Sequence, residues 1–246
     1  MKVWRVQNIG KKDGGCVPVW DEFPDSPDEE TLALGVNTGK EYGTAAIGRQ
    51  GNFLQWGYSA APSQMTEAGQ KLLVNCIHYI HRFDGKPPLG RGKPSTPRIG
   101  ALRCADYLSR ASDPKDFFLS CFPGALYEKY HADPNGLLEY YRSNIEWVYG
   151  DGALPFRVDE ELKGLGLDSN RTIASLQRLI ELLDDAQRAA TAKKLLGRYT
   201  ECSFETPTQW RQWFDENKNR IYFTDTGGYK FKVVPEGYLT AEAVKR

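Results

Sequence analysis

The sequence predicts an α/β chain, α+β overall: a small layered α/β unit, then a mainly helical unit that closes in a β-hairpin. Three observations predict it. From Tyr42 to Phe83 the pattern runs strand, turn, strand, small-residue loop, helix. From Asp84 to Arg98 the segment DGKPPLGRGKPSTPR holds four prolines and three glycines, the composition of a domain boundary. Beyond it apolar residues recur at helical spacing until Ile221–Val234, where aromatic and polar residues alternate about a turn. The expected division is 1–85, a linker at 86–98, and a helical unit at 99–246 with its hairpin at 221–234.

Val3 to Val6 reads as a short strand. The loop from Gln7 carries Asp21, Glu22, Asp25, Asp28, Glu29 and Glu30. It lacks the alternating oxygens and bend glycine of a calcium loop, so a solvated acidic surface is expected. Thr31 to Val36 is a second strand. Tyr42 to Gly48 and Phe53 to Tyr58 form a hairpin joined by Arg49 to Asn52. Small or apolar residues on both faces of Phe53 to Tyr58 predict a strand covered on both sides.

Thr66 is placed to cap a helix with Glu67 in its first turn. Leu72, Leu73, Cys76, Ile77, Ile80 and Phe83 would face the sheet. His78 falls on the opposite face, with His81 at the margin. That pair has no third ligand nearby, so no metal is expected.

In the second unit, Ile99 to Ala111 is amphipathic and Asp113-Pro114 opens a short helix. CFPGAL is a break. Asp133-Pro134 opens a helix with Leu137, Leu138, Tyr141, Ile145 and Val148 on one stripe. Val158 to Leu165 is a short charged helical turn. Thr172 to Leu183 and Ala186 to Arg198 form an αα-hairpin of the HEAT-like kind, with Asp184-Asp185 placed to cap the second helix and oppose its N-terminal dipole. Thr206-Pro207 starts a last helix bearing Trp210, Trp213 and Phe214. Asp225-Thr226-Gly227-Gly228 is the turn of the final hairpin.

The 246 residues are 40% hydrophobic and 12% aromatic, enough for a packed core. Lysine plus arginine equals aspartate plus glutamate at 32 each, which gives no electrostatic case for nucleic acid or an anionic membrane. No apolar run is long enough to span a bilayer. The five cysteines, Cys16, Cys76, Cys104, Cys121 and Cys202, lie far apart with no CxxC and read as free thiols. MKVWRVQNIG has no apolar signal core. A cytoplasmic location follows if Met1 is the true start, and an exported one if the chain is truncated at its N-terminus.

YGTAAIG, NFLQWGY, SAAPSQM and LLVNCIHYI resemble the C-terminal portion of a class I glutamine amidotransferase-like domain, especially the ThuA-like branch. The resemblance implies a closing hairpin, strand, loop and helix, and several further strands before them. It also implies a cysteine in a Gly-x-Cys-x-Gly elbow and a His-Pro-Glu after the strand. The loop here is Ser59-Ala60-Ala61-Pro62, and Cys16 is followed by Val17-Pro18, so the catalytic residues do not carry over. RYTECSF, WRQWFDENKNRIYF and TGGYKF resemble stretches of large planctomycete-like bacterial proteins that join such domains to helical repeats.

DTGGYK lacks the second loop of an aspartic protease. Neither a Walker pattern nor GxSxG occurs, and no cofactor is expected. The ligand-binding candidates are Trp56, Ser59, Ser63 and Gln64 around the SAAPSQM loop, and Trp210 and Trp213 on the last helix. Two functions follow. One is a non-catalytic binding or protein-interaction module on a degenerate amidotransferase-like domain, with another protein or a sugar-like ligand as partner. The other is a carbohydrate-related hydrolase, which needs two of Asp21, Glu22, Asp159 and Asp215 to converge at about 5–10 Å.

Overall fold

The computed structural model describes residues 5–8, 25–35, 44–89, 96–111, 114–150 and 154–238. The chain divides into two compact units, Met1–Leu89 with Glu236–Arg246, and Gly90–Pro235. The class is mixed α/β, with small antiparallel sheets and a C-terminal hairpin.

In the first unit β1 (Glu29–Gly35), β2 (Thr44–Gln50) and β3 (Phe53–Trp56) form an antiparallel sheet in that order. β2 is central, and its Ala45, Ala46 and Ile47 are each 1% exposed. Gln50 pairs with Phe53, so Gly51-Asn52 is a two-residue turn. Gly51 has φ +55, and a β-carbon there would sit 2.6 Å from Pro88 N. Both facts require glycine.

α1 (Glu67–His81) begins as its sequence dictates: the Thr66 hydroxyl accepts the Gly69 N–H at 3.0 Å. Cys76 and Phe83 turn inward and are buried. Residues 5–8 lie along the entry to this helix. Gln7 bridges Met65, Asn8 N donates to Gln64 O at 2.9 Å, and Thr66 N donates to Val6 O at 3.0 Å. At the other end of the unit, Lys86 Nζ donates to Gly237 O at 3.0 Å and Tyr238 Oη to Pro87 O at 2.5 Å.

Four expectations for this unit change. β3 pairs among the described residues with β2 alone, and its Phe53 is 68% exposed, so that face is not covered. Ile77 is 58% exposed, because the inward stripe narrows to Leu73, Cys76, Ile80 and Phe83 over so small a sheet. The acidic loop is not wholly solvated: Ser26, Asp28 and Glu30 are buried. Of the strand expected at Val3 to Val6, Val3 and Trp4 lie outside the described residues and Arg5 and Val6 are not in a strand; the bridge falls at Gln7.

The second unit opens with α2 (Ile99–Leu108), α3 (Lys115–Cys121), α4 (Gly124–Tyr130) and α5 (Pro134–Ser143). Asp133 caps α5 by accepting from Gly136 N at 2.8 Å. CFPGAL breaks the chain only at Phe122-Pro123, because Pro123 can precede a first turn, and α4 follows at once. α5 ends at Ser143. Ile145 falls in a 3-10 turn and Val148 starts β4 (Val148–Gly150), so neither continues the stripe as helix. β4 pairs with β5 (Phe156–Val158), a hairpin the sequence did not announce. Ala101, Ala105, Phe118, Phe122, Leu137, Tyr141 and Phe156 form one core, with Tyr141 Oη donating to Phe156 O at 2.9 Å.

A second core gathers α6 (Glu160–Gly164), α7 (Ile173–Glu181), α8 (Ala189–Tyr199) and α9 (Pro207–Asn217). Leu176, Leu179, Leu195, Leu196 and Tyr199 are all buried there, as helical spacing requires. β6 (Ile221–Thr224) and β7 (Lys230–Val233) close the unit as an antiparallel hairpin. Its turn extends to Tyr229, which holds φ +56, a left-handed conformation rare for a side-chain-bearing residue. No described helix is long and apolar enough to cross a membrane.

Candidate functional site

The sequence candidates of the first unit meet at the β3–α1 connection. Trp56 ends β3 and is partly buried. Its ring lies 5.0 Å from that of Tyr58 at a 59° tilt, and its indole N–H is buried without an acceptor. Ser59, Ser63 and Gln64 are exposed on the loop that follows. That loop also has structural work: Ala60 N donates to Gln7 Oε1 at 3.3 Å, Gln64 Oε1 accepts from Ala61 N at 3.3 Å, and Gln70 Nε2 donates to Pro62 O at 2.8 Å. The arrangement is a pinned loop carrying three exposed hydroxyl or amide side chains, which follows the two aromatic rings in the chain.

In the second unit Trp210 and Trp213 separate in environment. Trp210 is 3% exposed, donates its indole N–H to Phe204 O at 3.2 Å, and meets Phe204 edge-on with centroids 5.0 Å apart. Trp213 is only partly buried and stands 6.0 Å from Trp210, also edge-on. Trp213 is therefore the more accessible of the two rings.

The carboxylates behave differently from one another. Asp21 and Glu22 lie outside the described residues, as do Cys16, Trp4 and Trp20. Asp159 is 1% exposed. It caps α6 by accepting from Leu162 N at 2.9 Å, and it takes bonds at 2.5 Å from Arg198 Nη1 and Tyr199 Oη. Burial and then the Asp159 charge push the Tyr199 hydroxyl well above its ordinary range, so that it stays a donor. Asp215 is exposed and paired with Lys218 at 3.4 Å.

Sequence reasoning missed a polar centre at the start of β1. Glu30 and Arg49 face each other across β1 and β2 with Nε–Oε2 at 3.2 Å. Arg49 lies 3.7 Å above the Phe83 ring, a desolvated cation–π contact, and donates to Gly51 O at 2.8 Å. Tyr79 Oη donates to Glu30 at 2.5 Å, and burial followed by that carboxylate pushes its hydroxyl up to about 12. Next door, burial and then the charges of Asp25 and Asp28 raise Glu29 from 4.5 to about 7. A carboxyl that holds its proton near neutral pH can donate as well as accept. The only sequence signal was the acidic run itself, and it has no local pattern that distinguishes Glu29 from its neighbours.

Cys76 is buried and its thiol is pushed up by burial, the behaviour of an inert core cysteine. His78 and His81 are exposed. Among the described residues no group of three or more His, Cys, Asp or Glu side chains is arranged to hold a metal ion. Comparison with protein-family models, curated proteins and solved structures returns no match for this chain.

Proposed function

We propose that the chain is a protein-interaction module, built on an amidotransferase-like unit that has lost its catalytic residues, which binds an apolar segment of a partner protein. One observation carries the reading: the first unit exposes Leu34 at 72%, Phe53 at 68%, Ile77 at 58% and Val74 at 50%. Val74 and Ile77 stand one helical turn apart on α1, while Leu34 and Phe53 sit on the two outer strands of the sheet. The reading takes these four side chains as one recognition surface, since contiguous exposed apolar patches mark such sites.

The test is peptide display against the immobilised full chain. Enriched peptides should be apolar, and the double variant Val74→Glu/Ile77→Glu should bind them at least tenfold more weakly while unfolding at the same urea concentration. Enrichment of purely charged peptides, or equal binding by the variant, contradicts the reading.

A second reading, a carbohydrate-directed hydrolase, is favoured by Glu29, a carboxyl raised to about 7 by burial and by its neighbours Asp25 and Asp28. Turnover of an aryl glycoside panel that falls as pH rises through about 7 and vanishes in Glu29→Gln supports it. Absence of turnover across the panel ends it.

A further inference from the structure

We propose that residues 236–238 form a releasable strap on the first unit, which holds the turn at 83–89 closed and so locks both covalent connections between the two units in one step. The first unit consists of two pieces of chain, Met1–Leu89 and Glu236–Arg246, with Gly90–Pro235 between them in sequence as the second unit. The chain therefore leaves the first unit after Leu89 and rejoins it at Glu236. Residues beside these two points meet on one carboxylate. Leu89 N donates to Asp28 Oδ2 at 2.8 Å, and Tyr238 Oη lies 3.4 Å from the same oxygen. The Tyr238 hydroxyl donates to Pro87 O at 2.5 Å, with Lys86 O at 3.3 Å. Lys86 holds the strap from the other side: its Nζ donates to Gly237 O at 3.0 Å and stands 5.9 Å from the Tyr238 ring centre.

The two sides of this junction are held with different firmness. Asp28 is 0% exposed, accepts from Ser26 Oγ on its other oxygen, and takes Gly51 N on its backbone carbonyl at 3.2 Å. It stands immediately before β1 and is fixed with the sheet. The turn is seated on the sheet as well: a β-carbon at Gly51 would meet Lys86 O at 2.8 Å and Pro88 N at 2.6 Å. The strap is held differently. The bonds from Lys86 Nζ to Gly237 O and from Tyr238 Oη to Pro87 O are both exposed to solvent. Gly237 holds φ +67 with open space about it, a pivot that glycine supplies without strain. Segments held by exposed bonds are the first to open in a native protein. The strap is therefore the moving part, and the turn on Asp28 is what it closes over. When the strap lifts, Pro87 O loses its donor two residues from Leu89, and the turn loosens with it.

The experiment follows native-state amide exchange in the full chain, unaltered and as Tyr238→Phe. Loss of the hydroxyl should speed exchange at Leu89, whose N–H bonds Asp28, by about tenfold. Gly69 in the first unit and Leu176 in the second, whose N–H groups bond Thr66 and Thr172, should keep their rates. Lys86→Met keeps the aliphatic stem, removes the bond to Gly237, and should speed Leu89 in the same direction. Unchanged exchange at Leu89 in either variant would mean that the two connections open independently. Equal acceleration at Gly69 and Leu176 would mean a general loosening of the chain. Either result overturns the proposal.

Discussion

Arg98 and Asp225, 127 positions apart, form a buried two-point ion pair in which Nη2 meets Oδ1 at 2.7 Å and Nε meets Oδ2 at 2.9 Å. The Arg98 side chain is 0% exposed and that of Asp225 10%. The Arg98 backbone N–H also donates to Asp225 at 2.9 Å, and Nη1 reaches Ile145 O at 3.1 Å. Burial works against the Arg98 charge, and the bonds and charge of Asp225 more than offset it. The pair fastens the start of α2 to the turn of the last hairpin. Tyr229 supports the same junction by donating to Thr96 O at 2.6 Å, which helps to hold its left-handed backbone.

Asp225→Ala should therefore cost roughly 3–5 kcal/mol, because it leaves a guanidinium uncompensated in the interior. Urea denaturation checks this. A loss under about 1 kcal/mol, the value of a surface pair, would show that the charge finds water in the folded state.

Gly69 gives a prediction whose sign is informative. On helix propensity alone Gly69→Ala should stabilise α1 by about 1 kcal/mol. A β-carbon at this position would sit 2.1 Å from Val6 O, so the backbone of residues 5–8 must move away. The expected outcome is destabilisation of about 1–3 kcal/mol, the range of overpacking. It should appear with faster amide exchange at Thr66 and Asn8, whose N–H groups bond Val6 O and Gln64 O. Stabilisation instead would mean that residues 5–8 are not seated there.

Glu29 sets a pH dependence. Its carboxyl is raised from 4.5 to about 7, so between those values the folded chain keeps a proton that the unfolded chain has lost. The contribution is fully present below pH 4.5 and lost as pH rises through 7. The full span is worth up to about 3 kcal/mol. Glu29→Gln should flatten this part of the stability profile. An unchanged slope in the variant assigns the titration elsewhere.

The two tryptophans of α9 should respond unequally. Trp210→Ala empties a buried site and leaves Phe204 O without its donor, a loss of roughly 3–5 kcal/mol. Trp213→Ala should cost clearly less, since its ring is only partly buried. If an oligosaccharide quenches tryptophan fluorescence, the response should disappear in Trp213→Ala. Equal stability losses from the two changes would place both rings in the core.

Local chemistry was legible wherever it acts over one or two turns. Thr66, Asp133, Thr172 and Thr206 each accept the N–H three residues on, as a cap must. Thr206 and Gln209 complete a reciprocal capping box. The final hairpin followed from aromatic alternation about Asp225 to Gly228. The β4–β5 hairpin was not legible, because three-residue strands leave no period to detect. Nor was the burial of Asp28 and Glu30: an acidic run reads as solvated unless its partners are known, and Arg49 and Leu89 N lie 19 and 61 positions away.

The sequence by itself determined the capped starts of α1, α5, α7 and α9, the final hairpin, and a neutral chain with an α/β front and a helical remainder. Those properties depend on periods of two and 3.6 residues and on side chains that bond their own backbone. Only tertiary structure decided which charges are buried together, as in Arg98 with Asp225, Glu30 with Arg49 and Asp159 with Arg198. It also decided which of two neighbouring tryptophans is the less buried. Each of these depends on chain segments whose separation in sequence carries no signature, while their separation in space fixes the energy.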